Sequence, residues 1–139
     1  MTYGELVDLY FARSAALQMY WTIYVLVIGG LLAFSSLRQR KDLITATLVA
    51  VLFALFAYKN LGAIADVITE RNAVRTAIAE FPVTAPDANP GRIRSLIEPT
   101  LQNQSIAGIR VFHVACDILT LAALAAMELR RRRAATASA

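Results

Sequence analysis

The 24 residues from Ser14 to Leu37 carry no charged side chain. Roughly 20 helical residues cross a hydrocarbon core, so this stretch is too long for an ordinary buried helix and predicts a first membrane span at about 16–34. Tyr20, Trp21 and Tyr24 crowd one end of it, where amphipathic rings sit at headgroup depth. Glu5 and Asp8 precede it, not the basic segment of a cleaved signal peptide. A second uncharged run, Leu43–Tyr58, resumes after Lys59 and Asn60 as Leu61–Ile64 and predicts a span at about 43–64. A third apolar stretch, at about 106–127, contains Arg110, His113 and Asp117.

Beyond Ile64 the pattern turns from continuous to periodic. Val67, Ile68, Val74, Ala77, Ile78 and Phe81 recur largely at three- and four-residue spacing, with Asp66, Glu70, Arg71, Arg75 and Glu80 between them. This is an amphipathic helical pattern. It predicts that the second helix continues past the membrane as a stalk. The helix should end near Phe81, because Pro82 disfavours the helical state in the residue before it. Pro86 to Gly91 is turn chemistry, and Asn89-Pro90 resembles an N-cap and first helical position. A short helix over 90–98 is expected, broken or restarted at Pro99. The third long helix should begin by about Thr100 to Ser105. The stalk and cap, about 65–105, are too small for a core of their own. Their apolar stripe must lie on the rest of the chain, a second subunit, a partner or the lipid interface. Thr2 to Leu17 is the candidate within the chain, with Leu6, Tyr10, Ala16 and Leu17 on a loose apolar face. The expected fold is all-α: one integral membrane domain over residues 1–139, with three helices and the second extended into a small extracytoplasmic helical cap.

Composition agrees. The chain is 58% hydrophobic and 17% charged, against about half and about a quarter for soluble domains. The net charge of +4 is concentrated. Arg38, Arg40 and Lys41 sit in the short loop 35–42, and Arg130, Arg131, Arg132 and Arg133 open the tail 130–139. Two crossings separate these segments, so they share one side of the membrane. Short basic segments stay in the cytoplasm. The expectation is a multi-pass protein of the cell inner (plasma) membrane with its N-terminus outside and its C-terminus cytoplasmic. The basic groups then serve as topology and headgroup anchors, and their expected partner is anionic lipid, not nucleic acid.

The most informative polar residues lie on the third helix. At 100° per residue, Arg110, His113, Asp117, Thr120 and Glu128 share one side, interrupted by Leu124. Asp117 lies about 16 Å below the outer end of the span, close to the middle of a core about 30 Å thick. Carboxylates at that depth face the bundle interior and usually have a partner. The candidate intramembrane network is Asp117, His113, Arg110, Lys59 and Asn60. Tyr24, Tyr58 and Gln18 are possible further donors. Such a network has two readings. It is a buried polar staple that fixes helix pairing, or a relay with Asp117 as carrier, His113 as titrating neighbour and Arg110 or Lys59 as gate.

Small residues add a second theme. Gly29 and Ala33 on the first helix, Ala46, Ala50 and Ala54 on the second, and Ala115, Ala122 and Ala126 on the third form short ladders. Such ladders let helices approach closely in lipid, although an alanine-rich sequence also produces them by chance.

Several chemistries are excluded or disfavoured. Cys116 is the only cysteine, so no disulfide forms within the chain. His113 is the only histidine, so one chain builds no bis-histidine site. No phosphate-binding, dinucleotide, zinc-protease or nucleophile-elbow motif occurs, and no motif singles out a family. No cofactor, metal or catalytic residue is expected, and an enzyme is not. The leading functional expectation is a small structural or accessory membrane protein that self-associates or docks on a larger membrane complex. The alternatives are a homo-oligomeric channel or proton-coupled carrier using Asp117, and a membrane sensor whose extracytoplasmic cap receives the signal.

Overall fold

In the computed structural model, described over residues 1–38, 42–82 and 94–136, the chain forms three long helices. These are α1 (Tyr3–Leu37), α2 (Leu43–Glu80) and α3 (Ile106–Thr136). The described residues include no strand. Residues 94–97 are helical and run into a 3-10 turn, Glu98–Thr100, so Pro99 sits where the helix tightens. The rest of the expected short helix, and the turn over 86–91, lie outside the described residues. Residues 101–105 have no regular structure, and α3 begins at Ile106, slightly later than expected.

The helix ends follow local chemistry. Thr2 and Glu5 form a reciprocal cap on α1. The Glu5 amide donates to Thr2 Oγ1 at 3.3 Å and the Thr2 amide to Glu5 Oε2 at 2.7 Å, satisfying donors the first turn leaves free. From there α1 runs unbroken for 35 residues, well beyond its span. Asp42 caps α2 by accepting the Thr45 amide at 3.2 Å, and the Thr45 hydroxyl donates to its other oxygen. At the far end Pro82 holds Phe81 extended, at ψ 125°, and α2 stops at Glu80. With 38 residues, α2 is about 57 Å long, nearly twice a hydrocarbon core of about 30 Å.

The bundle has two unlike ends. At the cap end, which carries residues 81–82 and 94–105, Leu6 and Tyr10 of α1 bury against Ile78 and Leu101, with Val74, Phe81 and Ile97 around them. One level lower, Leu17 packs on Ile64, Val67 and Ile68, flanked by Ile106 and Ile109 of α3. The apolar stripe of the stalk is therefore covered within the chain, by the N-terminal turns of α1. Full burial of such side chains is worth about 1.5–3 kcal/mol each where water surrounds them. At the loop end, which carries the α1–α2 connection and the C-terminal tail, the helices part.

The irregular segment 101–105 must find donors for carbonyls that no ladder serves. Side chains of α1 and α2 supply them. Arg75 Nε donates to the Leu101 carbonyl at 2.7 Å, Arg71 and the Tyr10 hydroxyl to Gln102 at 3.1 and 3.3 Å, and Asn72 to Gln104 at 3.2 Å. Arg94 closes the end of α2, donating to the carbonyls of Ala79 and Phe81 and pairing with Glu98.

All three helices are long and apolar enough to cross a membrane, with mean hydropathies of 1.7, 1.9 and 1.7 over their most apolar windows. Only 11%, 22% and 11% of those windows is buried inside the chain. The remaining apolar surface faces outward, far more than a water-soluble monomer exposes. By length and composition this is a multi-pass membrane protein.

Candidate functional site

The polar face of α3 is turned inward, and its centre is a hydrogen-bonded chain through all three helices. His113 is fully buried. Its Nδ1 lies 2.9 Å from Asp117 Oδ2, one turn further along α3. Its Nε2 lies 3.3 Å from the Asn60 amide nitrogen of α2. These contacts select one tautomer: Nδ1–H donates to the carboxylate, and Nε2 accepts from Asn60. The other carboxylate oxygen, Asp117 Oδ1, accepts the Tyr24 hydroxyl of α1 at 2.6 Å. Both oxygens of Asp117 are thus engaged, and its side chain is 19% exposed.

Aromatic rings wall this chain. The Tyr24 ring lies 4.1 Å from the imidazole, centroid to centroid, at a 33° tilt, and Trp21 lies 5.8 Å away on the same helix. They pack against the imidazole of the fully buried His113. Further along the same face the Thr120 hydroxyl bonds back to the Cys116 carbonyl at 2.8 Å, and Leu124 is buried.

Of the residues expected here, the structure joins Asp117, His113 and Asn60. Lys59 and Arg110 are exposed, and among the described residues neither side chain joins the hydrogen-bonded chain. Lys59 precedes Asn60 and so points about 100° away around α2. Arg110 sits at the rim because the buried seam of α3, Ile106, Ile109, His113, Asp117, Thr120 and Leu124, is centred on His113, and Arg110 lies about 60° around the helix from it. Of the three possible donors, Tyr24 reaches Asp117, while Tyr58 and Gln18 are exposed.

A second polar knot, at the loop end, was not foreseen. Arg131 Nη1 donates to the Ser35 and Arg38 carbonyls at 2.5 and 3.2 Å, Nη2 to Ser35 Oγ at 3.3 Å, and Nε to buried Glu128 at 3.2 Å. It caps carbonyls that the end of α1 leaves unpaired. Arg131 is therefore mostly buried, whereas Arg130, Arg132 and Arg133 are exposed and Arg38 is half-buried. Arg40 and Lys41 lie outside the described residues. The Glu128–Arg131–Arg132 spacing, at three and four residues, was the available signal.

Chemically, the Asn60–His113–Asp117–Tyr24 chain holds one acid and one imidazole in fixed contact among four side chains. Among the described residues no group of three or more His, Cys, Asp and Glu gathers to hold a metal ion. Fold and site together define a small α-helical protein with three helices long and apolar enough to cross a membrane, tied at mid-bundle by a polar chain. Comparison with protein-family models, curated proteins and solved structures gives no match.

Proposed function

We propose that this protein is a small structural or accessory subunit of the inner membrane, which associates with further copies or with a larger membrane complex. The observation that carries the reading is the direction of its small-residue faces. Gly29, Gly30 and Ala33 of α1 and Ala115, Ala122 and Ala126 of α3 are exposed. A Cβ added at Gly29 or Gly30 would meet nothing within 4 Å. In lipid, association depends on such close-approach surfaces, because burying apolar area gains little there. Tyr24, Asn60, His113 and Asp117 are turned inward and engage one another, as a staple for the chain's own helices would. On this reading the N-terminus is outside and the C-terminus cytoplasmic, with Arg38, Arg40, Lys41 and Arg130 to Arg133 on the cytoplasmic side.

Native mass spectrometry of protein extracted gently from its own membrane tests this. A defined homo-oligomer or hetero-complex is expected, dispersed by Gly29→Leu or Ala122→Leu without loss of fold. A partnerless monomer overturns it.

The second reading is an oligomeric proton-coupled carrier or channel. The buried Asp117–His113 pair favours it, since an acid and an imidazole 2.9 Å apart can exchange a proton. Proton flux in liposomes should then fall on Asp117→Asn. Unchanged flux removes this reading.

A further inference from the structure

Where α2 and α3 part at the loop end, an open furrow of about 560 Å³ runs between them. Its walls are apolar and smooth. The alanine ladder of α2, Ala46, Ala50 and Ala54, forms one side, and Leu121, Leu124 and Ala125 of α3 the other. From Leu121 to Arg132 the furrow runs along about 16 Å of helix, about half of a hydrocarbon core of about 30 Å. Its mouth is polar, with Arg38, Arg131, Arg132 and Glu128.

These cations are not equally committed. Arg131 is taken up by Ser35, Arg38 and Glu128. Arg132 has its side chain 46% exposed and, among the described residues, a long 3.6 Å contact to Glu128. Arg38 donates one nitrogen to the Asp42 carbonyl at 2.7 Å. Among the described residues, Arg38, Arg131 and Arg132 outnumber Glu128 and the Asp42 carboxylate beside Arg38, which leaves the end of this apolar slot, one leaflet long, net positive. A protein helix in this slot would need its own anion at that depth to match the mouth. A lipid carries one there by construction.

We propose that the furrow holds one anionic phospholipid, with an acyl chain along the alanine wall and the phosphate at Arg132 and Arg38. This is independent of association through the faces of α1 and α3.

The test is native mass spectrometry of the purified protein in detergent, with equal amounts of phosphatidylglycerol and phosphatidylcholine of identical chains. One retained phosphatidylglycerol is expected. Arg132→Gln should lower its preference over phosphatidylcholine about fivefold. Ala125→Phe, which fills the furrow from an exposed wall position, should abolish retention of both lipids. Glycerophosphate, the headgroup without chains, should not compete. Equal retention of the two lipids overturns the proposal, as does indifference to Ala125→Phe. Full competition by glycerophosphate would make this a simple anion site. Dispersal of an oligomer by Ala125→Phe would make it a protein interface.

Discussion

The two ends of this bundle solve different problems with the same three helices. At the cap end, Leu6, Tyr10, Ile78 and Leu101 interlock, and four side chains of α1 and α2 pin the carbonyls of residues 101–105. At the loop end, α2 from Leu43 to Leu52 has no fully buried residue, and α1 and α3 are joined by the polar contacts of Arg131. The expected membrane placement accounts for the difference. A segment outside the membrane gains from every apolar atom it hides from water, and the stalk, expected outside, is the part that packs. A segment inside lipid gains little by hiding apolar surface, and close packing or polar matching must hold it. The hydrogen-bonded chain of His113 lies between the two regimes.

The sharpest way to break the contrast is at His113. His113→Leu leaves the Asp117 carboxylate with Tyr24 alone and strands Asn60. A loss of about 3 kcal/mol or more is expected, measured as unfolding stability in detergent. A neutral outcome would mean that the chain fills space without holding the helices together. Next comes the cap. Arg75→Ala removes the charged donor to the Leu101 carbonyl and should cost about 1–2 kcal/mol. Amide exchange should rise across 101–105 and stay unchanged at the loop end.

Tyr24→Phe keeps the ring and deletes the hydroxyl that reaches Asp117 Oδ1 at 2.6 Å and the His113 carbonyl at 3.3 Å. It should cost about 0.6 kcal/mol and no more than about 1.7, and a double-mutant cycle with Asp117→Leu should show that the two effects are not additive. Leu48→Ala, on an exposed face of α2, should stay within about 0.5 kcal/mol. A larger loss in native membranes than in detergent would reveal a neighbour at that face.

The smallest effect concerns pH. The Asp42 carboxyl is held below its ordinary value, chiefly by the Thr45 hydroxyl, then by the Thr45 amide. A carboxylate lowered in the folded state stabilises fully above its ordinary pKa. That contribution is lost as pH falls through the ordinary value to the lower folded one. The protection of the Thr45 amide, taken relative to its intrinsic exchange rate at each pH, should therefore fall on acidification, and Asp42→Ala should remove that pH dependence while leaving protection low throughout.

What the sequence made legible was local. Pro82 ends α2 through a clash with its own neighbour, so that boundary was readable to within a residue. The Asp117–His113 contact is a four-residue spacing on one helix, readable for the same reason. The rotation of one helix against another has no local cause. Asn60 and Lys59 are adjacent in the chain, and packing against α3 decides which of them turns inward. The seam of α3 is centred on His113, which leaves Arg110 about 60° around the helix, at the rim. Arg131 reaches a carbonyl 96 positions away, beyond any spacing rule. The continuous descent of α1 from Thr2 along the stalk was partly visible in Leu6, Tyr10 and Leu17.

The polar chain also bears on biosynthesis. Synthesis runs from the N-terminus, so α1 and α2 are made before α3. Tyr24 and Asn60 are then already in the bilayer when the helix with Asp117 leaves the insertion machinery. An aspartate at the centre of a lone helix costs roughly 2.5–3.5 kcal/mol to insert, a substantial tax on a segment that also carries Arg110 and His113. Two waiting partners reduce it. The earlier helices thereby act as a template for the last one, and errors at Tyr24 or Asn60 surface first as α3 left outside the bilayer.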